Sequence, residues 1–231
     1  MNIFELSVDR LSKSYGSKKI LDSVSVVYRS GLIHGIIGAN GSGKTTFFNC
    51  ITRNIAFQGS ISFSVSLKMG YLPATLFMYP RITGMEFIQF CLSAKNITME
   101  KLKIRSLNEL FELPLNSYAE TYSTGMLKKL YLLVSVLEKD DILVLDEPFN
   151  GLDISAITYI TELLLRLKNA GTLILLSSHI IDHLRSFCDT ITLIESGQIL
   201  FVDNKDEFEA VDMRLKAEVQ KKFEALTNLS H

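Results

Sequence analysis

The sequence is poor in cysteine and in segments of biased composition. Its three cysteines, Cys50, Cys91 and Cys188, are an odd number and lie far apart in a chain of 231 residues. This argues against a disulfide framework and is typical of a protein from a reducing compartment. No linker rich in proline, glycine or serine and no internal repeat divides the chain. The composition therefore excludes a low-complexity protein and a small disulfide-stabilised scaffold.

Long hydrophobic runs are also missing, although the mean hydropathy of +0.22 is high for a soluble protein. Apolar stretches such as Tyr131–Leu137 and Ile142–Leu145 fall well short of the roughly 18 residues that a membrane-spanning helix requires. Residues Met1–Glu5 lack the basic start and apolar middle of a signal peptide. We therefore expect any membrane role to depend on a partner protein.

Neither sign of charge is in excess, with Lys+Arg 24 against Asp+Glu 25 and a formal net charge of −1. This balance disfavours a strongly basic nucleic-acid-binding protein. Hydrophobic residues make up 47% of the chain, which is ordinary for a protein with a substantial buried core. The length allows one large domain, or one core with a smaller lobe.

The order of apolar patterns predicts an α/β core interrupted by a helical subdomain. Strand patterns fill the first part of the chain, helical periodicity dominates residues of about 75–135, and strands alternate with helices again from Asp141. The core is accordingly predicted over about 1–74 and 136–202. Apolar residues at steps of three and four predict an amphipathic C-terminal helix over about 203–227.

Several individual elements follow from the same patterns. Leu32–Ile37 is predicted as a buried strand, and a helix is expected over about 44–53. Thr83 and Thr98 are placed to cap two helices, and Gly171 to end a helix that carries Ile154, Ile157, Ile160, Leu164 and Leu167 on its apolar face. The last predictions are a helix over His179–Phe187 and a hairpin through Ser196-Gly197-Gln198.

A phosphate-binding loop is indicated by the pattern G-x-x-x-x-G-K-[ST] between a predicted strand and a predicted helix. Glycines let backbone N–H groups wrap a phosphate chain, to which the helix N-terminus adds positive potential. Lys44 would reach the β- and γ-phosphates, Thr45 would ligate Mg²⁺, and Thr46 would donate to the α-phosphate. The alternative, a glycine-rich turn with a solvated lysine, is disfavoured by the strand–helix context. The predicted nucleotide-binding residues of this loop are Gly38, Asn40, Gly41, Ser42, Gly43, Lys44, Thr45 and Thr46.

A second candidate element is the apolar strand Ile142–Leu145, which ends in two carboxylates. Asp146 at the strand tip is placed to hold Mg²⁺, and Glu147 is placed to polarise an attacking water. A buried strand that merely ends in a polar turn is the plain alternative. The phosphate-loop pattern earlier in the chain favours the functional interpretation.

Five segments, taken in order, resemble the ATP-binding subunit of ABC transporters. The resemblance extends from Tyr15 to about Val202 and implies a P-loop NTPase core with an antiparallel β subdomain and an inserted α-helical subdomain, in a single ATP-binding domain over 1–231. The segments are Gly38–Thr45, Tyr122-Ser123-Thr124-Gly125-Met126, Ile142–Glu147, Gly151-Leu152-Asp153 and Ser178-His179.

The resemblance also implies roles for single residues. Tyr15 resembles the aromatic residue that stacks on adenine, although a plain surface tyrosine is the alternative. Ser123 and Gly125 occupy the signature positions that contact the γ-phosphate bound by the opposite subunit. Asp153 lies in the loop that joins the two sites of a dimer, and it is equally suited to cap a helix. His179 matches the switch histidine at the γ-phosphate.

A zinc site is the rival interpretation of that histidine. His179 and His183 stand at i and i+4, which approaches a zinc-binding pattern. The acid between them is Asp182 where the zinc pattern has glutamate, and no third ligand is evident, so the phosphate-sensing role is favoured.

Two departures from the family pattern are visible. The signature reads Tyr-Ser-Thr-Gly-Met, similar to exporter subunits of the ABC-2 kind, where the commonest form is Leu-Ser-Gly-Gly-Gln. Ala74 stands where the family usually has glutamine, a side chain that helps to hold Mg²⁺ and couples the nucleotide to the membrane partner. We expect slower hydrolysis or looser coupling than in a relative with glutamine.

The resemblance implies an ATPase that binds ATP and Mg²⁺, dimerises as a homodimer or heterodimer, and drives a separate transmembrane permease, in the direction of export. It would lie in the cytoplasm, peripheral to the inner face of the cell membrane. No nucleic-acid partner is expected. The alternatives are a nucleotide-gated regulator of a membrane complex and an ABC protein of ribosomes or DNA. The apolar cluster Leu76-Phe77-Met78-Tyr79 is expected either to dock the permease or to fill the core of the helical subdomain.

Overall fold

The computed structural model describes residues 3–63 and 67–204, without the side chains of 183 and 201–204. Nine strands and six α-helices lie in these residues. The strands are β1 (Glu5–Tyr15), β2 (Lys18–Arg29), β3 (Ile33–Ile37), β4 (Gln58–Phe63), β5 (Met69–Leu72), β6 (Ile142–Leu145), β7 (Leu173–Ser178), β8 (Thr190–Glu195) and β9 (Gln198–Asn204). The helices are α1 (Lys44–Ile51), α2 (Gly84–Ala94), α3 (Lys101–Asn108), α4 (Thr124–Glu138), α5 (Ile154–Asn169) and α6 (Ile181–Arg185).

A six-stranded sheet forms the centre of the fold, in the order β5-β6-β7-β3-β8-β9. Its strands pair in parallel except for the β8–β9 hairpin. Every residue of β3, β6 and β7 is buried, which explains why the sequences of these strands are nearly continuous apolar runs. The carboxyl ends of β3 and β6, where the two candidate motifs begin, therefore lie on the same edge of the sheet.

A separate antiparallel sheet has the order β2-β1-β4. Val24, Val26 and Tyr28 of β2 alternate with exposed residues and are buried, as the pattern predicts. They pack in one hydrophobic core with Phe47 and Phe48 of α1, which joins this sheet to one face of the central sheet. The second core lies under α2, α4 and α5.

The helical stretch predicted between β5 and β6 contains α2, α3, a 3₁₀ turn (Ala119–Thr121) and α4. The Thr83 cap is confirmed, since Thr83 Oγ1 accepts from Glu86 N and Glu86 reaches back to Thr83 N. The Thr98 cap is wrong because α3 starts at Lys101 and has Glu100 at its N-cap. Helix α4 continues to Glu138, past the boundary of about 135 expected from the sequence.

The remaining local predictions concern α5, α6, the β8–β9 hairpin and the C-terminal helix. Gly171 follows the end of α5 with φ +98°, a left-handed conformation that favours glycine. Ile154, predicted on the buried face of that helix, is 84% exposed. The helix predicted over His179–Phe187 covers only α6, and the hairpin at Ser196 and Gly197 is confirmed. The predicted C-terminal helix lies outside the described residues, apart from its first two positions, which end β9.

Candidate functional site

The loop between β3 and α1 is shaped by its glycines. A Cβ at Gly38 would overlap the carbonyl oxygen of Ile194 in β8, so only glycine allows this close approach. Gly43 is the N-cap of α1 with φ +113°, a conformation that disfavours every residue with a side chain. The loop therefore turns tightly from the sheet into the helix and directs the helix N-terminus over the sheet edge.

Lys44 folds back over this loop. Its Nζ donates to the carbonyl oxygens of Gly38 (2.7 Å) and Ala39 (3.3 Å) and lies 3.8 Å from Glu147 Oε1. Burial lowers the pKa of Lys44, and the carboxylates of Glu147 and Asp146 partly offset this effect. The ammonium group lies among acceptors that a bound phosphate chain would replace.

Thr45 and Asp146 meet across the two motifs. The Thr45 hydroxyl donates to Asp146 Oδ2 at 2.6 Å, although 101 positions separate the residues in sequence. Asp146 is fully buried, and its other oxygen accepts from Ser177 Oγ at 2.6 Å. A hydroxyl and a carboxylate at this distance, beside a cavity, form the oxygen donor set that suits Mg²⁺ together with substrate phosphates.

Glu147 has a strained backbone with φ +50°, and it precedes Pro148, which normally holds its neighbour in extended conformations. Its N–H donates to Ser177 Oγ at 2.9 Å. Its Oε2 lies 3.1 Å from Nδ1 of His179, and because a carboxylate only accepts hydrogen bonds, that ring nitrogen carries the proton. Two predicted site residues that are 32 positions apart are thus paired.

A cavity of about 390 Å³ lies over these groups. Nine residues that were predicted to bind nucleotide, bind metal or take part in catalysis line it, together with Lys18, Ile20 and Ala74. Gly38 and Ser42 belong to the same loop but are buried and do not line the cavity, and Ser42 Oγ has no hydrogen-bond partner among the described residues. The predicted residues that line the cavity are Tyr15, Asn40, Gly41, Gly43, Lys44, Thr45, Thr46, Asp146 and Glu147.

Tyr15 ends β1 at the mouth of this cavity and is half exposed. Lys13 Nζ lies 5.0 Å from the centre of its ring, which gives a cation–π contact. The half-exposed ring is an aromatic surface beside the loop, of the type that stacks on a base.

Ser123, Gly125 and Asp153 do not line the cavity. Ser123 is exposed at the N-cap of α4, where its hydroxyl accepts from Met126 N at 3.2 Å. Asp153 caps α5 by accepting from Ala156 N at 2.7 Å, so its predicted capping role is confirmed. The two caps are neighbours, since a Cβ at Gly125 would lie 3.4 Å from Leu152 Cδ2.

The described residues cover only part of the zinc interpretation. The ring of His179 is turned to Glu147, and the side chain of His183 lies outside the described part of the chain. No group of three His, Cys, Asp or Glu residues positioned for a metal ion occurs among the residues that the structure describes.

Sequence reasoning missed Lys18 and Ile20 of the cavity lining, and also Ser177 and Lys128, which hold the loop after β6. Ser177 bonds both Asp146 and the backbone of Glu147, and its only signal is a polar position near the end of a buried strand. Lys128 is 1% exposed, and its Nζ donates to the carbonyl oxygens of Glu147 (3.0 Å) and Asn150 (2.7 Å). Its signal is a lysine within the apolar helix that follows the signature.

Comparison with known proteins identifies this arrangement. A family model described as ABC transporter matches residues 21–150. This chain belongs to the ABC transporter family. It is 32% identical over 207 residues to an uncharacterised ABC transporter ATP-binding protein of Bacillus subtilis, YhaQ, covering 84% of this chain and 69% of the relative. It is 26% identical over 217 residues to the linearmycin resistance ATP-binding protein LnrL of the same organism, covering 87% and 70%.

Solved structures agree with the family. An ATP-binding subunit of an ABC transporter matches with a TM-score of 0.79 at 27% identity, over 87% of this chain and 90% of that chain. An ATP-binding cassette in its ADP conformation matches with a TM-score of 0.75 at 23% identity, over 89% and 93%, which shows the shared fold. The protein is thus an ATPase domain of the ABC family with the predicted P-loop NTPase fold. Within its described residues, no helix is long and apolar enough to cross a membrane.

Proposed function

We propose that this protein is the ATP-hydrolysing subunit of an ABC exporter, that it dimerises around two ATP molecules, and that it drives a separate membrane permease. One observation carries the dimer. Lys44, Thr45, Asp146 and Glu147 share one cavity, whereas Ser123 and Gly125 lie outside it on an exposed helix start. This separation supports a signature that contacts the γ-phosphate bound by a second subunit.

The predicted site residues have distinct tasks in phosphoryl transfer to water. Lys44 and the N–H groups of its loop bind the phosphate chain, while Thr45 and Asp146 would hold Mg²⁺. When bound, Mg²⁺ neutralises charge on the phosphate oxygens. Glu147 orients the attacking water and accepts its proton, and His179 holds that carboxylate in place. Tyr15 offers its ring to the adenine.

A surface for the permease is supported by three exposed aromatic side chains, Phe77, Tyr79 and Phe90, which we call the aromatic patch. Their exposed fractions are 65%, 50% and 55%, and the rings stack edge to face with centroids 5.2 and 5.9 Å apart. Leu76 and Met78, between them in sequence, pack against the core. The predicted cluster therefore divides into core residues and a surface patch of the kind that marks interaction sites.

Export is supported by the form of the signature, Tyr-Ser-Thr-Gly-Met, and by a relative whose name refers to linearmycin resistance. Attachment to a permease would keep the protein in the cytoplasm on the inner face of the cell membrane.

The proposal is tested by capture of partners from detergent-solubilised membranes of the native organism. Tagged Glu147→Gln protein with ATP serves as the bait, and Lys44→Ala protein, in which phosphate binding is weakened, serves as the control. A multi-span membrane protein, enriched by Glu147→Gln over Lys44→Ala in mass spectrometry, is expected. Enrichment of ribosomal proteins or nucleic acid would overturn the transport function and leave the ATPase chemistry standing.

A further inference from the structure

Lys128 is a buried cation whose partners are main-chain oxygens. It lies on α4, is 1% exposed, and donates from Nζ to the carbonyl oxygens of Glu147 at 3.0 Å and Asn150 at 2.7 Å. Burial lowers its pKa to about 8, and the nearby Glu147 carboxylate partly offsets the effect. Burying an ammonium group is costly unless it is hydrogen-bonded, so its two short bonds bind α4 firmly to this loop.

The loop that Lys128 holds is strained at its first residue. Glu147 has φ +50° and precedes Pro148. This combination is unfavourable in conformational energy and persists only where the surrounding structure imposes it. Two side chains impose it from opposite ends of the residue. Ser177 Oγ accepts from Glu147 N at 2.9 Å, and Lys128 donates to Glu147 O.

The same helix carries the signature. Ser123 caps α4, so Lys128 lies five positions further along, about 7.5 Å along the helix axis. At the helix start, a Cβ at Gly151 would lie 3.8 Å from Thr124 Cγ2, so the first turn of α4 also lies close to the end of the loop. A helix is stiff over this distance, and a displacement of its first turn moves Lys128 with it.

We propose that Lys128 is a positioning residue that sets the backbone of Glu147 and thereby links the signature helix α4 to the carboxylate that orients the attacking water. The signature of one subunit serves the ATP of the other, so this link makes the geometry of each hydrolytic site depend on engagement of the opposite site. The contacts between Lys128 and Glu147 lie within one subunit and do not depend on the proposed function. The dependence of one hydrolytic site on the other rests on the proposed dimer.

Steady-state ATP hydrolysis by the full chain tests the effect on chemistry. Lys128→Met keeps the length and apolar stem of the side chain and removes the donor, and Lys129→Met, the next residue of the same helix, is the matched control. Loss of a charged donor is expected to lower kcat about tenfold or more. KM and the affinity for ATP should change less than about threefold, and Lys129→Met should behave like the wild type.

A double-mutant cycle separates positioning from general destabilisation. Lys128→Met in the Glu147→Gln background should change the single-turnover rate less than about twofold, because the carboxylate on which Lys128 acts is already absent. Equal losses in both backgrounds would overturn the inference. So would wild-type kcat in the folded single variant.

Hydrogen exchange without nucleotide provides a readout that does not depend on dimerisation or catalysis. Asn150 N donates to Glu147 O at 3.3 Å, and its protection should fall in Lys128→Met while it stays unchanged in Lys129→Met. Unchanged protection contradicts the inference even where the ATPase works. A wild-type protein that captures no permease contradicts the proposed function alone. If Lys128→Met fails to fold, Lys128→Gln, with a shorter donor, is expected to show an intermediate loss of kcat and protection, and wild-type values would overturn the inference.

Discussion

Among single residues, Glu147 is central to the proposed reaction, because its carboxylate faces both Lys44 and His179. It lies 3.8 Å from Lys44 Nζ and 3.1 Å from His179 Nδ1, and its side chain is 13% exposed. A carboxylate held in this way can align a water for attack and receive its proton, whereas an amide of the same shape cannot accept the proton.

Glu147→Gln is therefore expected to lower kcat about 100-fold or more while ATP still binds. Because the amide keeps the shape of the site, the variant should retain ATP and accumulate as a closed dimer. Multi-angle light scattering with ATP and Mg²⁺ would measure the dimer, and phosphate release would measure kcat. A variant that turns over at the wild-type rate would refute the role of Glu147.

Ala74 is the residue at which this site departs from the family pattern. It lines the cavity two positions after β5, and β5 pairs in parallel with β6, whose end carries Asp146. Leu72 O accepts from Asp146 N at 2.8 Å, which fixes the two chain segments side by side. The methyl group of Ala74 can neither ligate Mg²⁺ nor donate a hydrogen bond to a water.

Ala74→Gln is expected to raise kcat about fivefold, the effect of one added ligand or hydrogen bond worth about 1 kcal/mol, and to lower the Mg²⁺ concentration required for half-maximal rate. Ala74→Leu adds bulk without a polar group and serves as the control. Titration of Mg²⁺ in a steady-state ATPase assay measures both quantities. If kcat and the Mg²⁺ dependence are both unchanged, the expectation that the missing side chain slows hydrolysis is wrong.

At the scale of elements, one charged cluster connects the helical stretch to the central sheet. Lys95 at the end of α2 donates to Glu138 Oε2 (2.5 Å) at the end of α4 and to Asp140 Oδ1 (3.0 Å) just before β6. Both carboxylates are buried, whereas the Lys95 side chain is 36% exposed. Burial raises the pKa of Glu138 and of Asp140, and the adjacent Lys95 partly offsets the increase.

Lys95→Met leaves two buried carboxylates without their cation. The free energy of unfolding at pH 7 should fall by about 2 kcal/mol, less than for a fully buried pair because Lys95 is partly solvated. Without Lys95, the folded-state pKa values of Glu138 and Asp140 rise further above their unfolded values. Folding then takes up protons as the pH falls. The deficit in the free energy of unfolding relative to the wild type should therefore be smaller at pH 5 than at pH 7.

Urea unfolding of Lys95→Met, the wild type and Lys103→Met at the two pH values measures this effect. Lys103→Met removes an exposed lysine from α3 and should stay close to the wild type at both pH values. A deficit that is the same at pH 5 and pH 7 would show that the lost packing of the lysine stem, and not the buried charge, causes the destabilisation.

At the scale of the whole molecule, the aromatic patch and the cavity are separate surfaces with separate tasks. Phe77→Asp combined with Tyr79→Asp should abolish capture of the permease and leave the ATPase rate within about twofold of the wild type, because neither residue lines the cavity. Leu102→Asp, at a leucine that is 74% exposed on α3, is the control. Capture that survives the double substitution would show that the permease docks elsewhere.

Much of the fold and of the site could be predicted because the relevant physics is local in sequence. Gly41 and Gly43 are required by the positive φ angles of the turn itself, and the apolar runs of β3, β6 and β7 identify buried parallel strands without reference to their neighbours. Thr83 and Asp153 cap the helices that immediately follow them. Each of these signals depends on residues within a few positions of one another.

The rest was decided by contacts between distant segments. Ser177 and Lys128 are unremarkable in sequence and become part of the site only because β7 and α4 pack beside the end of β6. Ile154 fits a helical apolar face but is exposed, since it lies at the start of α5, beyond the packed surface. The sequence alone determined which residues have the backbone conformation and side-chain chemistry suited to phosphate and metal, because these are local properties. Only the tertiary structure decided how Glu147 is held, because its restraints come from chain segments 19 and 30 positions away.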